Sequence, residues 1–563
     1  MLSGQVQRHT AIVVFAYRRP RHLEQALQAL STNSEAKTLP LVLIVDGPKQ
    51  SSDCLGIQLC LRVASRFSQC FQSLEVVARP VNLGLYESLT SGITGLFEKY
   101  EQLIVVEDDL VVSQGFLAYM LKGLDIYNGN PHVASVHGYA LPFKGVEAPE
   151  TFFLRGADCW GWATWREKWA LFRHDAAAMH QELYERNLIS EFDLDGAYPY
   201  SDLLYQRGYG QSKSWAICWH ASCFLADQLS LHPAKSLVKN IGLDSSGEHC
   251  GDLKHMTTEI DAQVVNLGKQ TVEESCVMRQ LYAQYYRKHY SSDSGGLLAR
   301  LRALKGRAVS KMLRYLNSSH PNHLNLQGPE TSYASARDHS EGYDSSLVLL
   351  KVKEAIESVL DGDAVYEPDG TAFEQSPVGL KITELLSRYL LDGMVLVDFG
   401  GGLGGTWVNH QALFRPANQY IVVEQVGFVK AGRALADERG LPVSFLESLD
   451  ELAVRPEIVL LSGVLSYLPN FEHVLKEITD LMPDLIIIDR QAIAPQQDAS
   501  SSWWLQREES YYGKPLSYPI QLIKQNQLMQ WLRGYDCIES WRNEFDAVIP
   551  EHHGFLFAKK SIL

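Results

Sequence analysis

Twice along the chain, short and wholly apolar runs alternate with longer amphipathic stretches, and the runs end in clusters of glycine, proline or charge. The first series has apolar runs at 11–16, 41–45, 74–78 and 103–106, separated by helical stretches at 21–30, 57–71 and 87–100. The second has helical stretches at 346–360 and 378–391, with apolar runs at 394–397, 420–423, 458–461 and 485–488. Apolar runs without alternation of polarity describe strands covered on both faces, as in a parallel sheet layered by helices. Such strands need crossover helices, and ligands gather at their C-terminal ends. A chain of 563 residues also exceeds what one core organises. The expectation is an α/β protein with two Rossmann-like domains, 1–290 and 341–563, joined by a linker at 291–340.

The net charge of −15 argues against a nucleic-acid partner held by a basic surface. Nine cysteines are scattered without a CxxC pair, so neither a zinc ribbon nor a redox motif is expected, and thiols in a reducing cytoplasm fit best. Residues 10–16 read as a first strand rather than a signal peptide, and no apolar run is long enough to span a membrane. The segment 297–316 (LLARLRALKGRAVSKMLRYL) carries six basic residues and no acidic one. Wound as a helix, it sets Leu297, Leu301, Leu304, Ala308 and Met312 against Arg300, Arg307, Lys311 and Arg314. It reads either as an interdomain helix or as a peripheral contact with an anionic membrane, where a lipid-linked acceptor would lie.

Polar punctuation falls where the first series of strands ends: Tyr17-Arg18-Arg19-Pro20, Asp46-Gly47-Pro48, Arg79-Pro80 and Glu107-Asp108-Asp109. Three adjacent carboxylates beside buried strands are costly unless positive charge sits with them. A divalent cation carrying a diphosphate would supply it, and oxygen ligands suit Mg²⁺ or Mn²⁺. The alternative is a solvated loop. Asp46 can accept a hydrogen bond from a nucleobase. Arg79 and Asn82-Leu83-Gly84 put a cation and a turn before a helix start, where anions are favoured. Trp160, Trp162 and Trp165 suit either stacking on a sugar ring or core packing.

The stretches VVFAYRRP (13–20), LIVDGP (43–48), ARPVNLGLYESL (78–89) and IVVEDDLVVSQGF (104–116) resemble family-2-like inverting glycosyltransferases of the glycosyltransferase A fold, especially the N-acetylglucosaminyltransferase I-like ones. The resemblance covers about 11–250. It implies a nucleotide-sugar donor held by Tyr17, Arg18, Asp46, Arg79, Asn82, Glu107 and Asp108, with the metal on Asp109. It implies a carboxylate that takes the acceptor proton: Asp202 first, with Asp158 and Glu248 in reserve. The loop 239–250 would close over the diphosphate, with His249 as a further metal ligand. A nucleotidyltransferase would carry a glycine- and lysine-bearing loop near the first strand, which 15–20 lacks.

In the second half, VLVDFGGGLGG (395–405) runs from a strand into a glycine turn, which lets backbone approach a ligand closely. A bare GxGxxG would suit a dinucleotide. Here Asp398 precedes the glycines, and Glu424 ends the next strand, where an acid can bind ribose hydroxyls. These residues and LSGVLSYL (461–468) resemble class I S-adenosylmethionine-dependent methyltransferases. Gly342-Tyr343-Asp344, Tyr366-Glu367, Asp369-Gly370 and Ile488-Asp489-Arg490 resemble a methyltransferase family of bacterial surface-polysaccharide loci, although Glu367-Pro368 stands where that family carries arginine. The resemblance implies S-adenosylmethionine on Asp398, Gly400, Gly402, Gly404, Glu424 and Ser462. Asp489, His552 and His553 are candidates for proton removal, and Trp503, Trp504, Tyr511 and Tyr512 for the acceptor pocket. The expected protein is bifunctional: metal-dependent sugar transfer plus methylation of a glycan hydroxyl. The alternative is a glycosyltransferase with a non-catalytic S-adenosylmethionine-binding module.

Overall fold

The computed structural model describes residues 10–143, 148–244, 254–260, 265–290, 325–340, 346–368, 370–377, 379–494, 503–508, 516–543 and 552–562. The basic segment 297–316, Glu248, His249, Gly342-Tyr343-Asp344, Asp369, Tyr511 and Tyr512 lie outside these. The chain divides into two compact units, Met1–Met312 and Leu313–Leu563. Both are α/β, as the alternation of runs requires.

Unit one opens with β1 (Thr10–Ala16), α1 (Pro20–Ser31), β2 (Pro40–Val45), α2 (Asp53–Arg66), β3 (Ser73–Ala78), α3 (Gly84–Leu96) and β4 (Gln102–Glu107). These strands are parallel, in the spatial order β3-β2-β1-β4. Every residue of β1 is buried, as a central strand covered on both faces must be. β3 is the sheet edge and is mostly exposed, with Val76 and Val77 reaching solvent. The chain moves outward from β1 to β3 and then returns to the other side of β1 with β4. That reversal leaves a crevice between the C-terminal ends of β1 and β4.

The unit continues through β5 (Leu110–Val112), α4 (Phe116–Ile126), β6 (Val133–His137), β7 (Thr151–Arg155), β8 (Trp162–Trp165), α5 (Ala176–Glu185), α6 (Tyr200–Gly208), α7 (Ala216–Leu225), β9 (Leu229–Pro233), β10 (Val238–Asn240) and α8 (Cys276–Tyr290). β8 joins antiparallel beside β4 and is followed across the sheet by β6, β9 and β7. Trp162 and Trp165 on β8 are 0% and 3% exposed. Trp162 packs on Trp169, Trp215 and Trp219. Sugar stacking is therefore closed to Trp162 and Trp165; removing such a ring costs about 3–5 kcal/mol of stability.

Unit two contains β11 (Asn325–Glu330), α9 (Ser346–Asp361), α10 (Lys381–Tyr389), β12 (Val395–Phe399), α11 (Gly405–Asn409), β13 (Gln419–Val423), α12 (Val426–Arg439), β14 (Val443–Leu446), β15 (Ile458–Ser462), α13 (Phe471–Asp480), β16 (Leu485–Ala492), β17 (Trp503–Glu508), β18 (Leu516–Gln521), α14 (Gln525–Trp531), β19 (Tyr535–Arg542) and β20 (His552–Lys559). Its main sheet runs β14-β13-β12-β15-β16-β20-β19, parallel through β16 and antiparallel beyond. The order again reverses, now between β12 and β15. A separate antiparallel sheet joins β11, β17 and β18. β11 thus turns part of the expected linker into a structural strand. Trp503 is buried in a small cluster with Leu505 and Ala336, and Trp504 packs on a second cluster with Ile520. Among the described residues, no helix is long and apolar enough to cross a membrane, and each cysteine is a free thiol.

On the main sheet of unit two, Gly554 of β20 faces Trp541 of β19: a Cβ there would stand 2.0 Å from the indole. The same indole N–H donates to Asp489 at 3.1 Å. Gly554→Ala should therefore displace Trp541 and destabilise the protein by about 1–3 kcal/mol. Calorimetric unfolding checks this; an unchanged midpoint would show that the ring has room to move.

Candidate functional site

Each unit carries candidate residues at its own strand-order reversal. In unit one, Glu107 ends β4 opposite Phe15 of β1, and the Asp108 N–H donates to the Phe15 carbonyl at 2.9 Å. The acidic turn is therefore anchored beside the residues that follow β1. Arg19, the residue before α1, sends one guanidinium nitrogen to Asp108 and Asp109, at 2.8 Å from the latter. Sequence reasoning named Arg18 and missed Arg19. The available signal was Pro20, which starts α1 and fixes Arg19 at the helix cap. Arg18 instead pairs with Asp53. Asp53 is 1% exposed and also accepts from the Tyr17 hydroxyl at 2.8 Å and the Gln50 N–H at 3.1 Å. Burial and the Asp53 hydrogen bond push the Tyr17 phenol up to about 12.

Glu107 has no hydrogen-bond or ion-pair partner among the described residues. Burial, then the charges of Asp109 and Asp108, push its carboxyl up to about 8. Burial also raises Asp109, against the opposing charge of Arg19. The turn thus holds three carboxyl groups, of which the Arg19 guanidinium pairs with two. Among the described residues, no group of three or more His, Cys, Asp or Glu is arranged around a metal position. The free Glu107 carboxyl and the Asp109 Oδ1 still fit a site of the kind Mg²⁺ uses, with one or two carboxylates and the rest of its shell from water and phosphate.

The start of the expected closing loop lies directly on this turn. The Ile241 N–H donates to the Asp109 carbonyl at 2.8 Å. A Cβ on Gly242 would stand 2.3 Å from Asp109 Oδ2 and 3.1 Å from the Arg19 guanidinium. Only glycine leaves room for the Arg19–Asp109 pair there.

Two expected nucleotide contacts are turned inward. Asp46 accepts from the backbone N–H groups of Gly47, Leu83 and Gly84 and from the Asn82 amide, all at 2.9–3.1 Å. Its two oxygens are filled by the loop before α3, so it clamps that loop and has little capacity left for a base. Asn82 spends its amide on Asp46 and on the Gly47 carbonyl. Arg79 donates to the Ser88 carbonyl and Ser91 hydroxyl on α3, so its guanidinium braces the helix.

The expected proton acceptors also separate. Asp202 sits exposed in the first turn of α6. Asp158 instead lies among aromatic groups, with its charge felt by Tyr139, Tyr198, Tyr200, Tyr282 and Tyr286. Burial raises its carboxyl despite hydrogen bonds from the Cys159 and Trp160 backbone. Burial pushes the Cys159 thiol well up, and Asp158, Glu107 and Asp109 push it further. Asp158 and the acidic turn therefore flank the same thiol. Trp160 faces Tyr139 edge-on at 4.6 Å and is the one tryptophan of its run left half-buried.

In unit two, the glycine turn follows β12. Gly400, Gly402 and Gly404 have φ of 77°, 58° and 88°, a region that strongly favours glycine. A Cβ on Gly400 would meet Val464 at 2.5 Å, so the segment after β15 closes directly on the turn. Asp398 is 1% exposed beneath it. It accepts from the Tyr420 hydroxyl, and burial pushes its carboxyl up to about 6. A Cβ on Gly401 would stand 2.6 Å from the Asp398 carboxyl carbon. Asp398 therefore braces the turn from inside. Glu424 directly follows β13, and its carboxylate accepts from the Gln425 N–H at 2.6 Å.

Ser462 lies opposite Asp489 across β15 and β16, and His552 opposite Ala492 across β16 and β20. Ser462, Asp489 and His552 thus gather at the end of the sheet that holds the glycine turn. Asp489 is buried and hydrogen-bonded by Trp541. Glu367 stands in the sequence both in the Tyr366-Glu367 resemblance and, with Pro368, where that family carries arginine, and neither gives it a role. It is 4% exposed, and its Oε2 lies 2.5 Å from where a Gly405 Cβ would be. Its Oε1 accepts from the Gly370 N–H at 2.6 Å, and its backbone exchanges hydrogen bonds with the Asn409 side chain. It ties the preceding segment to the helix that leaves the glycine turn.

No protein-family model and no curated protein matches the sequence. Among solved structures, the chain is similar to the 1,6-didemethyltoxoflavin-N1-methyltransferase of Burkholderia thailandensis, solved with 1,6-didemethyltoxoflavin and S-adenosylhomocysteine; identity is 16%, with 38% of this chain and 87% of that one covered at a TM-score of 0.24. It is also similar to a SAM-dependent methyltransferase from Aquifex aeolicus, at 13% identity over 37% of this chain and 97% of that one, TM-score 0.25. A third likeness is the glycopeptide N-methyltransferase MtfA complexed with S-adenosylmethionine, at 12% identity over 31% and 86%, TM-score 0.24. Identities this low transfer neither substrate nor activity.

The raised Glu107 carboxyl has a consequence for stability. Without metal, the folded chain keeps a proton there up to about pH 8, whereas an unfolded chain releases it near the ordinary value of 4.5. The unfolded state then binds fewer protons across this window, so this group's contribution to stability falls as pH rises from 4.5 to 8. Denaturant titrations across that range should show Glu107→Gln losing part of the wild-type decline. Parallel pH profiles would contradict the assignment.

Proposed function

We propose that the chain is a bifunctional transferase. Unit one moves a sugar from a nucleotide-sugar donor to a hydroxyl, and unit two moves a methyl group from S-adenosylmethionine to a hydroxyl of a glycan. One observation carries the reading: two separate parallel sheets each reverse strand order, one at an acidic turn and the other at a glycine turn. Each supplies what its donor needs, oxygen ligands for a cation-bound diphosphate and close backbone approach for a nucleoside. The sequence resemblances to glycosyltransferases of the A fold and to class I methyltransferases support the same assignment.

In unit one, Glu107 and Asp109 would hold Mg²⁺ or Mn²⁺, which neutralises the departing diphosphate when bound. Arg19 keeps the Asp108–Asp109 turn in place through its shared guanidinium. Asp158 takes the acceptor proton as the new carbon–oxygen bond forms and the bond to the diphosphate breaks, inverting the sugar carbon. Its raised affinity for protons suits a general base better than exposed Asp202 does. In unit two, the glycine turn and Glu424 receive the nucleoside, and Asp398 fixes the turn from below. Asp489 or His552 takes the proton from the hydroxyl that is methylated.

Purified protein incubated with Mn²⁺ and a panel of nucleotide sugars should hydrolyse at least one slowly. Asp109→Ala should lower that rate by about 100-fold or more with the fold intact. Asp158→Asn should lower kcat of sugar transfer with little change in KM, while Asp202→Asn should leave both near wild type. Equal loss in Asp202→Asn would return the base to α6.

S-adenosylmethionine binding, followed by calorimetry, tests unit two separately. Gly400→Val should abolish it, because a side chain there collides with Val464. Methyl transfer to a candidate glycan then separates a catalytic unit from a binding module.

A further inference from the structure

Unit two has a second concavity, at the opposite end of its sheet from the glycine turn. β16 begins at Leu485, which lies across from Ala558 near the end of β20. Around that end lies a cavity of about 570 Å³ lined by residues including Met482, Trp531, Arg533, Tyr535 and Lys559. The glycine turn instead follows the C-terminal end of β12, which runs parallel to β15 and β16. The two features therefore sit at opposite strand ends.

The rim is built rather than loose. Met482 has φ of 53°, a costly conformation for a residue with a side chain, and it is 52% exposed. The Arg455 guanidinium donates twice to its carbonyl, at 2.9 and 2.7 Å, and also pairs with Asp484. The Tyr535 hydroxyl donates to the Pro483 carbonyl at 2.9 Å. Arg455 and Tyr535 thus hold the strained segment from two sides.

The lining is unusual for a chain of net charge −15. Arg533 and Lys559 form no ion pair among the described residues, and two nearby acids are committed elsewhere: Asp484 to Arg455, and Asp536 to Lys560 at 3.7 Å. Trp531, at the end of α14, is 44% exposed. Cations attract an anion, a guanidinium can grip two of its oxygens, and an exposed indole offers a face to a flat ring. The volume falls within the range of small-molecule sites, about 300–1,000 Å³.

We propose that this cavity binds a small anion that carries a planar ring, of the nucleoside monophosphate class, with the ring on Trp531 and the phosphate on Arg533 and Lys559. The proposal does not depend on what the glycine turn binds.

The test photolabels the full-length protein with azidoadenosine monophosphate, in chelator and saturating S-adenosylhomocysteine, and maps the adducts by mass spectrometry. Label is expected on the peptide containing Trp531, with AMP protecting at concentrations about tenfold lower than ribose 5-phosphate or adenosine. The label should vanish in Trp531→Leu and in Arg533→Glu/Lys559→Glu. Unchanged thermal melting would show that the variants fold, and Trp531 and Arg533 are exposed enough to be replaced. No label on this peptide, or label that persists in both folded variants, would overturn the site. Protection by ribose 5-phosphate equal to that by AMP would overturn ring recognition.

Discussion

A parallel sheet cannot be closed by hairpins. Each strand needs a crossover, and where successive crossovers change side, the two central strands end with no connection covering them. This constraint decides where chemistry can sit in both units. β1 and β4 separate at one such point, and β12 and β15 at the other. β4 ends in the half-buried Glu107, whose carboxyl burial raises, and β12 is followed by the alternating left-handed glycines Gly400, Gly402 and Gly404.

Carboxyls raised by burial recur near these points, but their surroundings differ. Glu107 is raised by burial and by like charges beside it, so its environment favours a proton or a cation. Asp158 is raised mainly by burial, near aromatic rings, and backbone N–H groups oppose that rise. Asp398 is also raised by burial, but a tyrosine hydroxyl ties it beneath a turn. Chemically similar residues are thus placed in three different environments, and the difference lies in what each oxygen already touches.

The strand series was legible because buried parallel strands must be continuously apolar. The runs at 11–16 and 41–45 fall within β1 and β2, and the acidic turn lies where β4 ends. The glycine turn was equally plain, since few other residues accept its angles. The position of Asp46 at a strand end is visible in sequence, while the three backbone N–H groups on its oxygens are not, because they come from a loop some thirty-seven residues away as well as from its neighbour. Arg19 was passed over for the adjacent Arg18 because only the entry angle of α1 decides which one reaches the acids. For Trp162 and Trp165 the sequence left stacking and core packing open, and it is the packing of Trp162 on Trp169, Trp215 and Trp219 from other elements that decides. β11 was hidden in a stretch rich in Asn, Gly and Pro, whose strand pairing comes from β17 rather than from its own composition.

The open flank at β3 bears on how the chain avoids sticking to itself. An edge strand with exposed valines on successive positions presents unpaired backbone groups that could accept a strand from another molecule, most easily while the chain is still folding. Glu75 sits within that strand and pairs with Lys99 at 2.9 Å, and Pro80 follows two residues after it, where it can donate no ladder hydrogen bond. Charge in the middle and proline at the exit are the usual guards of such an edge. The same short segment that leads to the clamped loop before α3 is therefore also a barrier to aggregation, and its composition answers to solubility as well as to whatever the crevice binds.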